Sequence, residues 1–259
     1  MPHALLSPPT RTNPLRSLRA VPAQPHLDLV IPALNEEGRI ERTIEAISTW
    51  AEVSSHPVNL IVVDNGSADA TTECIDRASA HHLSVDVVSC RVRGKGAAVR
   101  AGVLRSRAPF VGYCDADLAT PLTAIDPALR LLAEGWDVVL GSRLCEGASY
   151  AVPQTLIRRS GSWCFRRIAQ RYVGTIADTQ CGFKVFSGPA ARSIFSATEL
   201  TGFAFDVEIV ARALRSGYRV VELPVEWSDQ EGSTFRPLRD GVSSFRDLAG
   251  LRRTLALSA

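Results

Sequence analysis

From Leu27 onward the chain alternates short β-branched apolar runs with longer stretches of helical period, and nothing else in it restricts the fold as much. The runs from Leu27 to Ile31, Leu60 to Val63, Val85 to Ser89, Phe110 to Cys114 and Val138 to Leu140 have the length of strands. Between the first two, Ile40, Ile44, Ile47 and Ala51 recur at spacings of four, three and four, one face of a helix that can cover a sheet. Similar helices are predicted over Ala70 to Ala80, Ala97 to Ser106 and Thr123 to Ala133. Strands separated by crossover helices pair in parallel, so the expected fold is α/β with a mostly parallel central sheet flanked by helices. No repeat and no linker divides the region after Leu27.

Composition removes several function classes. The 259 residues, 46% apolar and 22% charged, suffice for one large core and exclude a collagen, a coiled coil or a wholly disordered chain. A net charge of +2 with a pI near 8.3 exerts no overall pull on nucleic acid, so no such partner is expected and an anionic partner must be met by local clusters. No run approaches the ~18 consecutive apolar residues that cross a bilayer. Residues 1–26 hold Arg11, Arg16, Arg19 and six Pro with no acid and no apolar signal core, the expectation being a disordered basic arm on a cytoplasmic protein. The six cysteines (74, 90, 114, 145, 164 and 181) include no C-x-x-C pair and fit reduced, buried thiols.

In an open parallel sheet, ligands gather beyond the carboxyl ends of the strands, where turns expose side chains and helix amino termini together. The turns there are Pro32-Ala-Leu-Asn-Glu-Glu37, Asp64-Asn-Gly-Ser-Ala-Asp69 and Asp115-Ala-Asp117. Two carboxylates two residues apart at a strand end can turn to one pocket and hold Mg²⁺ or Mn²⁺ against a diphosphate, although a solvated loop or a helix cap reads the same way. Asp64 can accept from a base or ribose while Gly66 permits a tight turn. Gly94-Lys-Gly-Ala-Ala-Val99 is a poor dinucleotide fingerprint, because it follows the third strand and carries Val99 where a small residue belongs. A Gly-flanked Lys95 at a helix amino terminus still suits a nucleotide diphosphate.

In their order, P-A-L-N-E-E, V-V-D-N-G-S-A-D-A-T, G-K-G-A-A-V-R-A-G, D-A-D-L-A-T-P, G-S-R, D-T-Q-C-G-F-K-V-F and F-A-F-D-V-E resemble the family 2 nucleotide-sugar glycosyltransferases of GT-A, Rossmann-like fold. Within them the chain is most similar to dolichyl-phosphate β-glucosyltransferases, with dolichyl-phosphate mannose synthases as cousins. The resemblance covers about residues 27–235, the expected glycosyltransferase domain, with residues 236–259 as a basic amphipathic helix packed on the domain or a membrane surface. It implies that Pro32, Ala33, Asn35, Glu37, Asp64, Asn65, Gly66, Lys95, Asp115 and Ala116 bind the donor nucleotide, UDP-glucose being favoured. Asp115 and Asp117 would hold the metal, Mg²⁺ or Mn²⁺. Asp178 would lie on the acceptor side as candidate general base, with Gln180 beside the sugar and Arg143 near an acceptor phosphate; Glu208 would be structural. Asn65 departs from the family's second Asp in V-D-D-G-S, and Thr234 from its Lys after Gly-Ser. The glucosyltransferases usually carry an amino-terminal membrane helix, where this chain has its Pro-rich arm.

Between Thr155 and Ala177, Arg158, Arg159, Arg166, Arg167 and Arg171 alternate with Leu156, Trp163, Phe165, Ile168 and Tyr172, with no acid. Such a stretch suits an anionic membrane surface or a clamp for a lipid phosphate, in which Arg158 and Arg159 would bind the acceptor; a helix packing its apolar side on the sheet fits equally. Arg236 to Arg253 is a second basic stretch, with Val242, Phe245, Leu248 and Leu251 near helical spacing. The expected activity is inverting transfer of a sugar from a UDP-sugar to a polyprenyl phosphate, by a cytoplasmic protein with peripheral membrane contact. Transfer to a soluble natural-product or nucleoside acceptor, and a non-catalytic nucleotide-sugar binder, stay open as alternatives.

Overall fold

The computed structural model describes residues 26–78, 80, 81, 83–150, 156–228 and 237–257. The amino-terminal arm before His26 and the Glu231-Gly-Ser-Thr234 segment lie outside them, as do the side chains of Arg158, Arg159, Trp163 and Val242. Strands β1 (Leu27–Ala33), β2 (Val58–Asp64), β3 (Ser84–Ser89), β4 (Phe110–Tyr113) and β5 (Val138–Ser142) stand at the five predicted runs. Helices α1 (Ile40–Val53), α2 (Thr71–Arg77), α3 (Lys95–Arg105) and α4 (Ile125–Ala133) connect them, the last preceded by a 3₁₀ turn over Leu122–Ala124. Beyond β5 the chain forms β6 (Ser149–Tyr150), α5 (Leu156–Val173), β7 (Lys184–Ser187), α6 (Gly188–Ala197), α7 (Phe205–Arg215), β8 (Val220–Pro224), β9 (Glu226–Trp227) and α8 (Pro237–Leu257). Of these, only α5 and α8 lie on stretches whose helical pattern is visible in the sequence.

The central sheet has seven strands in the order β3-β2-β1-β4-β7-β5-β8, and β6 pairs with β9 beside it. All neighbours in the large sheet are parallel except β7, which runs antiparallel between β4 and β5. Alternation along β1 sends Val30 to one face and Leu29 and Ile31 to the other. Helices α1, α2 and α4 cover the second face, and α3, α5, α6, α7 and α8 the first, so both faces of the inner strands are buried while the edge strand β3 is largely exposed.

The reversed strand positions the site. Tyr113 at the end of β4 aligns with Lys184 at the start of β7, so the segment entering β7 reaches the same rim as the turns leaving β1, β2, β4 and β5. Antiparallel entry therefore brings Asp178 to Gly182 beside Asp115, although the two segments are far apart in sequence.

The apolar sides of the two basic helices pack inward. Phe165, Ala169 and Val173 of α5 and Leu248, Leu251 and Leu255 of α8 are buried, Phe165 meets Phe245 edge to face, and the Tyr172 hydroxyl donates to the Leu248 carbonyl at 2.9 Å. Arg167 and Arg171 remain exposed. Among the described residues, no helix is long and apolar enough to cross a membrane. Cys74, Cys90, Cys114 and Cys181 are buried and Cys145 half-buried, all as free thiols.

Candidate active site

Three turns at the carboxyl rim are laced together by their own side chains. Asn35, held at φ +56°, donates its backbone N–H to Ser67 Oγ at 3.0 Å and accepts from Ala68 N–H at 2.8 Å through Oδ1. Glu36 N–H donates to Thr71 Oγ1, Glu37 N–H to Asp69 Oδ2, and Ala70 N–H to Glu37 Oε2 at 3.0 Å. Asp64 accepts from Ser67 N–H at 3.1 Å, closing the tight turn at Gly66 (φ +79°). Polar groups of Asn35, Glu37 and Asp64 thus fix the backbone of the rim, while Pro32 is half-buried near the end of β1.

Three further residues of the expected nucleotide pocket are buried. The side chains of Ala33 and Ala116 pack in the core beneath the rim, and the Ala116 carbonyl accepts from Thr43 Oγ1 at 2.6 Å, which ties the aspartate turn to α1. Asn65 is buried and turned toward the next loop. Its Nδ2 donates to the carbonyls of Cys90 (3.1 Å) and Val92 (2.7 Å), and its Oδ1 accepts from Gly94 N–H at 2.8 Å. A carboxylate cannot donate to two carbonyls, so the amide here suits the path of the β3–α3 loop that delivers Lys95.

Asp115 and Asp117 leave β4 in a tight turn in which Leu118 takes φ +50° and Asp117 accepts from Ala119 N–H at 3.0 Å. Burial and the neighbouring Asp115 carboxylate raise the Asp117 pKa above the usual carboxylate range. Lys95 Nζ lies 2.5 Å from Asp115 Oδ1. Burial works against the charged ammonium, yet Asp115, with Asp206 behind it, holds the Lys95 pKa above its ordinary value. Glu36 faces the same carboxylates: burial pushes its pKa up to about 7, Asp117 and Asp115 adding to the effect against the opposing charge of Arg39, 2.8 Å away. The motifs assign Glu36 no role, and its only sequence signal is its place beside Glu37.

These residues fit a divalent ion. A Cβ at position 182 would fall 1.9 Å from Asp115 Oδ2, so the bare Gly182 of D-T-Q-C-G-F makes the room this carboxylate occupies. Among the described residues, no three His, Cys, Asp or Glu side chains converge on one point. Two carboxylates alone are the donor set of an ion that keeps positions open for water and substrate phosphate oxygens.

Gly182 also joins this half of the site to the other. Asp178 is buried and gripped by Arg143: Nε to Oδ2 at 2.7 Å, Nη2 to Oδ1 at 2.9 Å, and the Arg143 backbone N–H to Oδ2 at 3.0 Å. Gln180 N–H also donates to Oδ1 at 3.0 Å. Although burial favours the proton, these hydrogen bonds and the guanidinium charge hold the Asp178 pKa below the carboxylate range. A carboxylate so engaged holds Arg143 in place, at the position where the resemblance implies a general base. Arg143 lies over the Trp227 ring at 5.5 Å, and Glu222 on β8 accepts from Ala177 and Asp178 N–H at 2.8 and 3.0 Å. Neither Trp227 nor Glu222 belongs to a motif; only the fold brings them here. Gln180 stands half-buried beside this pair.

Beneath the rim, Lys184 is fully buried, its Nζ donating to Asp206 Oδ1 at 2.6 Å and to the Cys181 carbonyl at 2.7 Å. The Tyr113 hydroxyl donates to the same Asp206 oxygen. Glu208 accepts from Glu199 and Leu200 N–H and pairs with Arg212 at 2.8 Å, holding the 199–202 loop, whose Thr201 carbonyl accepts from Ala97 N–H.

Comparison with known proteins agrees with this construction. Glucosyl-3-phosphoglycerate synthase of Mycobacterium tuberculosis, solved with Mn²⁺, UDP and glucosyl-3-phosphoglycerate, superposes with a TM-score of 0.63 at 22% identity over 88% of this chain and 79% of its own. That likeness establishes the shared GT-A fold. The dolichyl-phosphate beta-glucosyltransferase of Saccharomyces cerevisiae is 30% identical over 89% of this chain and 75% of its own length. That of Drosophila melanogaster is 31% identical over 86% and 73%. The family model described as "Glycosyl transferase family 2" matches residues 28–195, from β1 through the aspartate turn and the Asp178 segment into α6. A matching sheet, a matching order of rim turns and relatives aligned over most of both chains lead to one conclusion: the chain belongs to glycosyl transferase family 2.

Proposed function

We propose that this glycosyltransferase moves glucose from UDP-glucose to a polyprenyl phosphate with inversion at the anomeric carbon. The observation that carries the reading is the Asp178–Arg143 pair. The one carboxylate expected to act as base is spent on a guanidinium, an arrangement that suits an acceptor already anionic and in no need of deprotonation. An arginine held by a buried carboxylate meets a phosphate with little further loss of side-chain freedom. The names of the relatives point to the same acceptor class.

The rim turns of β1 and β2 take the uridine, Asp64 accepting from its hydroxyl or N–H groups. Asp115 and Asp117 hold the divalent ion, which supplies neutralisation of charge on the departing diphosphate. Lys95 adds a second positive charge at the same place. Arg143 and Gln180 orient the acceptor phosphate so that one of its oxygens attacks the anomeric carbon opposite UDP. The new C–O bond forms as the bond to UDP breaks, and the α linkage becomes β. Exposed Arg167 and Arg171 on α5 supply charge for contact with an anionic membrane at the cytoplasmic face, the apolar side of that helix being used in the core.

Transfer of labelled glucose from UDP-glucose into a solvent-extractable polyprenyl product, with Mg²⁺ or Mn²⁺, tests this. The Asp117→Ala variant is expected to fold and lose transfer by about a hundredfold or more. Labelled product formed at full rate by that variant would refute the metal assignment, and transfer only to soluble alcohols would refute the acceptor.

A further inference from the structure

We infer that Lys95 is the resident counter-ion of the aspartate turn, which a divalent ion must displace from Asp115 and which the donor's diphosphate then draws to itself. Metal and nucleotide consequently bind as a mutually reinforcing pair, and metal alone binds weakly. The inference rests on the metal assignment proposed above.

Asp115 already has a cation on it: Oδ1 carries the Lys95 ammonium at 2.5 Å, while Oδ2 faces the bare Gly182. A hard cation seeking Asp115 therefore meets an occupied oxygen and a like charge beside it. The pair is reachable: the side chains of Lys95 and Asp115 are 16% and 35% exposed.

Only the side chain of Lys95 is free to yield. Its backbone is held from two directions, by Asn65 Oδ1 on Gly94 N–H and by the Thr201 carbonyl on Ala97 N–H. The ammonium, on its flexible four-carbon stem, can exchange one anion for another within a short radius. A diphosphate arriving with its ion offers the displaced lysine a new anion, and the charge at the turn stays balanced throughout.

Mn²⁺ titration of the full chain, followed by the electron paramagnetic resonance signal of free Mn²⁺, tests this with and without UDP. In wild type, UDP is expected to tighten Mn²⁺ binding strongly. Lys95→Met is expected to bind Mn²⁺ alone about tenfold tighter than wild type, yet to bind UDP more weakly and show little mutual reinforcement. Lys95→Arg, which keeps the charge, should behave as wild type toward Mn²⁺ alone and guards against a folding defect in the methionine variant. Equal or weaker Mn²⁺ binding by Lys95→Met, with Lys95→Arg unchanged, overturns the inference while leaving the metal assignment standing. Unaltered Mn²⁺ binding by Asp117→Ala in the presence of UDP overturns the assignment itself, and the inference with it.

Discussion

Glu36 keeps its proton to about pH 7 in the folded protein, against an ordinary value of 4.5. Folding takes up a proton between those values, so the contribution of Glu36 to stability is complete below pH 4.5 and is lost as pH rises through 7. Glu36→Gln lacks this titration. In metal-free buffer its melting temperature should therefore gain on wild type between pH 5 and pH 8, and a pH-independent difference would contradict the assignment. Asp178 has the opposite sign: its depressed pKa stabilises the fold above the ordinary carboxylate range and is lost in acid. Asp178→Asn releases Arg143 and is expected to raise the KM for polyprenyl phosphate about tenfold, without shifting the pH profile of kcat as removal of a base would. Gly182→Ala drives a methyl group into Asp115 and is expected to weaken Mn²⁺ binding in the presence of UDP about tenfold or more, measured by titration, with the fold intact. The aspartates and Lys95 were legible as motif members because their spacing at strand ends is local. The pKa of Glu36 and the capture of Asp178 by Arg143 were not, since burial and a partner 35 residues away are decided by the fold.

At the scale of elements, buried carboxylates and amides fix the loops that carry charge. Glu208 holds the 199–202 loop against the start of α3, and Asn65 holds the β3–α3 loop from the other side. Truncating Glu208→Ala leaves the Glu199 and Leu200 N–H groups without their acceptor and the buried Arg212 charge with only the more distant Glu199 carboxylate at 3.8 Å, an expected loss of about 3 kcal/mol measurable by denaturant unfolding. Asn65→Asp faces the Cys90 and Val92 carbonyls with a group that cannot donate, at an expected cost of about 1–3 kcal/mol, and UDP affinity should fall with it because Lys95 rides on that loop. Strands β1, β2, β4 and β5 are readable because a parallel sheet buried on both faces writes continuous apolar runs, and the largely exposed edge strand β3 still shows its three valines. Strand β7 carries no such signal: it is four residues long and begins with Lys184, a charge that reads as exposed although Asp206 lies beneath it. Helix α7 is masked for a related reason, its first turn carrying Asp206 and Glu208, two acids that the fold buries.

Over the whole molecule, one antiparallel strand inserted in a parallel sheet brings the segment entering β7 to the rim that holds the donor turns. The proposed donor and acceptor halves then share a seam at Gly182 and Asp115. The basic helices α5 and α8 close the outer face with their apolar sides inward, leaving Arg167 and Arg171 of α5 and Arg246 and Arg252 of α8 among the exposed residues. The central claim is that the acceptor is an anion that Arg143 binds and no side chain needs to deprotonate. Its most direct test is UDP release from UDP-glucose with Mn²⁺ in the presence of a short-chain polyprenyl phosphate, of the matching polyprenol, or of neither. The account predicts strong stimulation by the phosphate, none by the alcohol, and loss of that stimulation in Arg143→Ala. Turnover supported equally by the alcohol, or unchanged in Arg143→Ala, would contradict it.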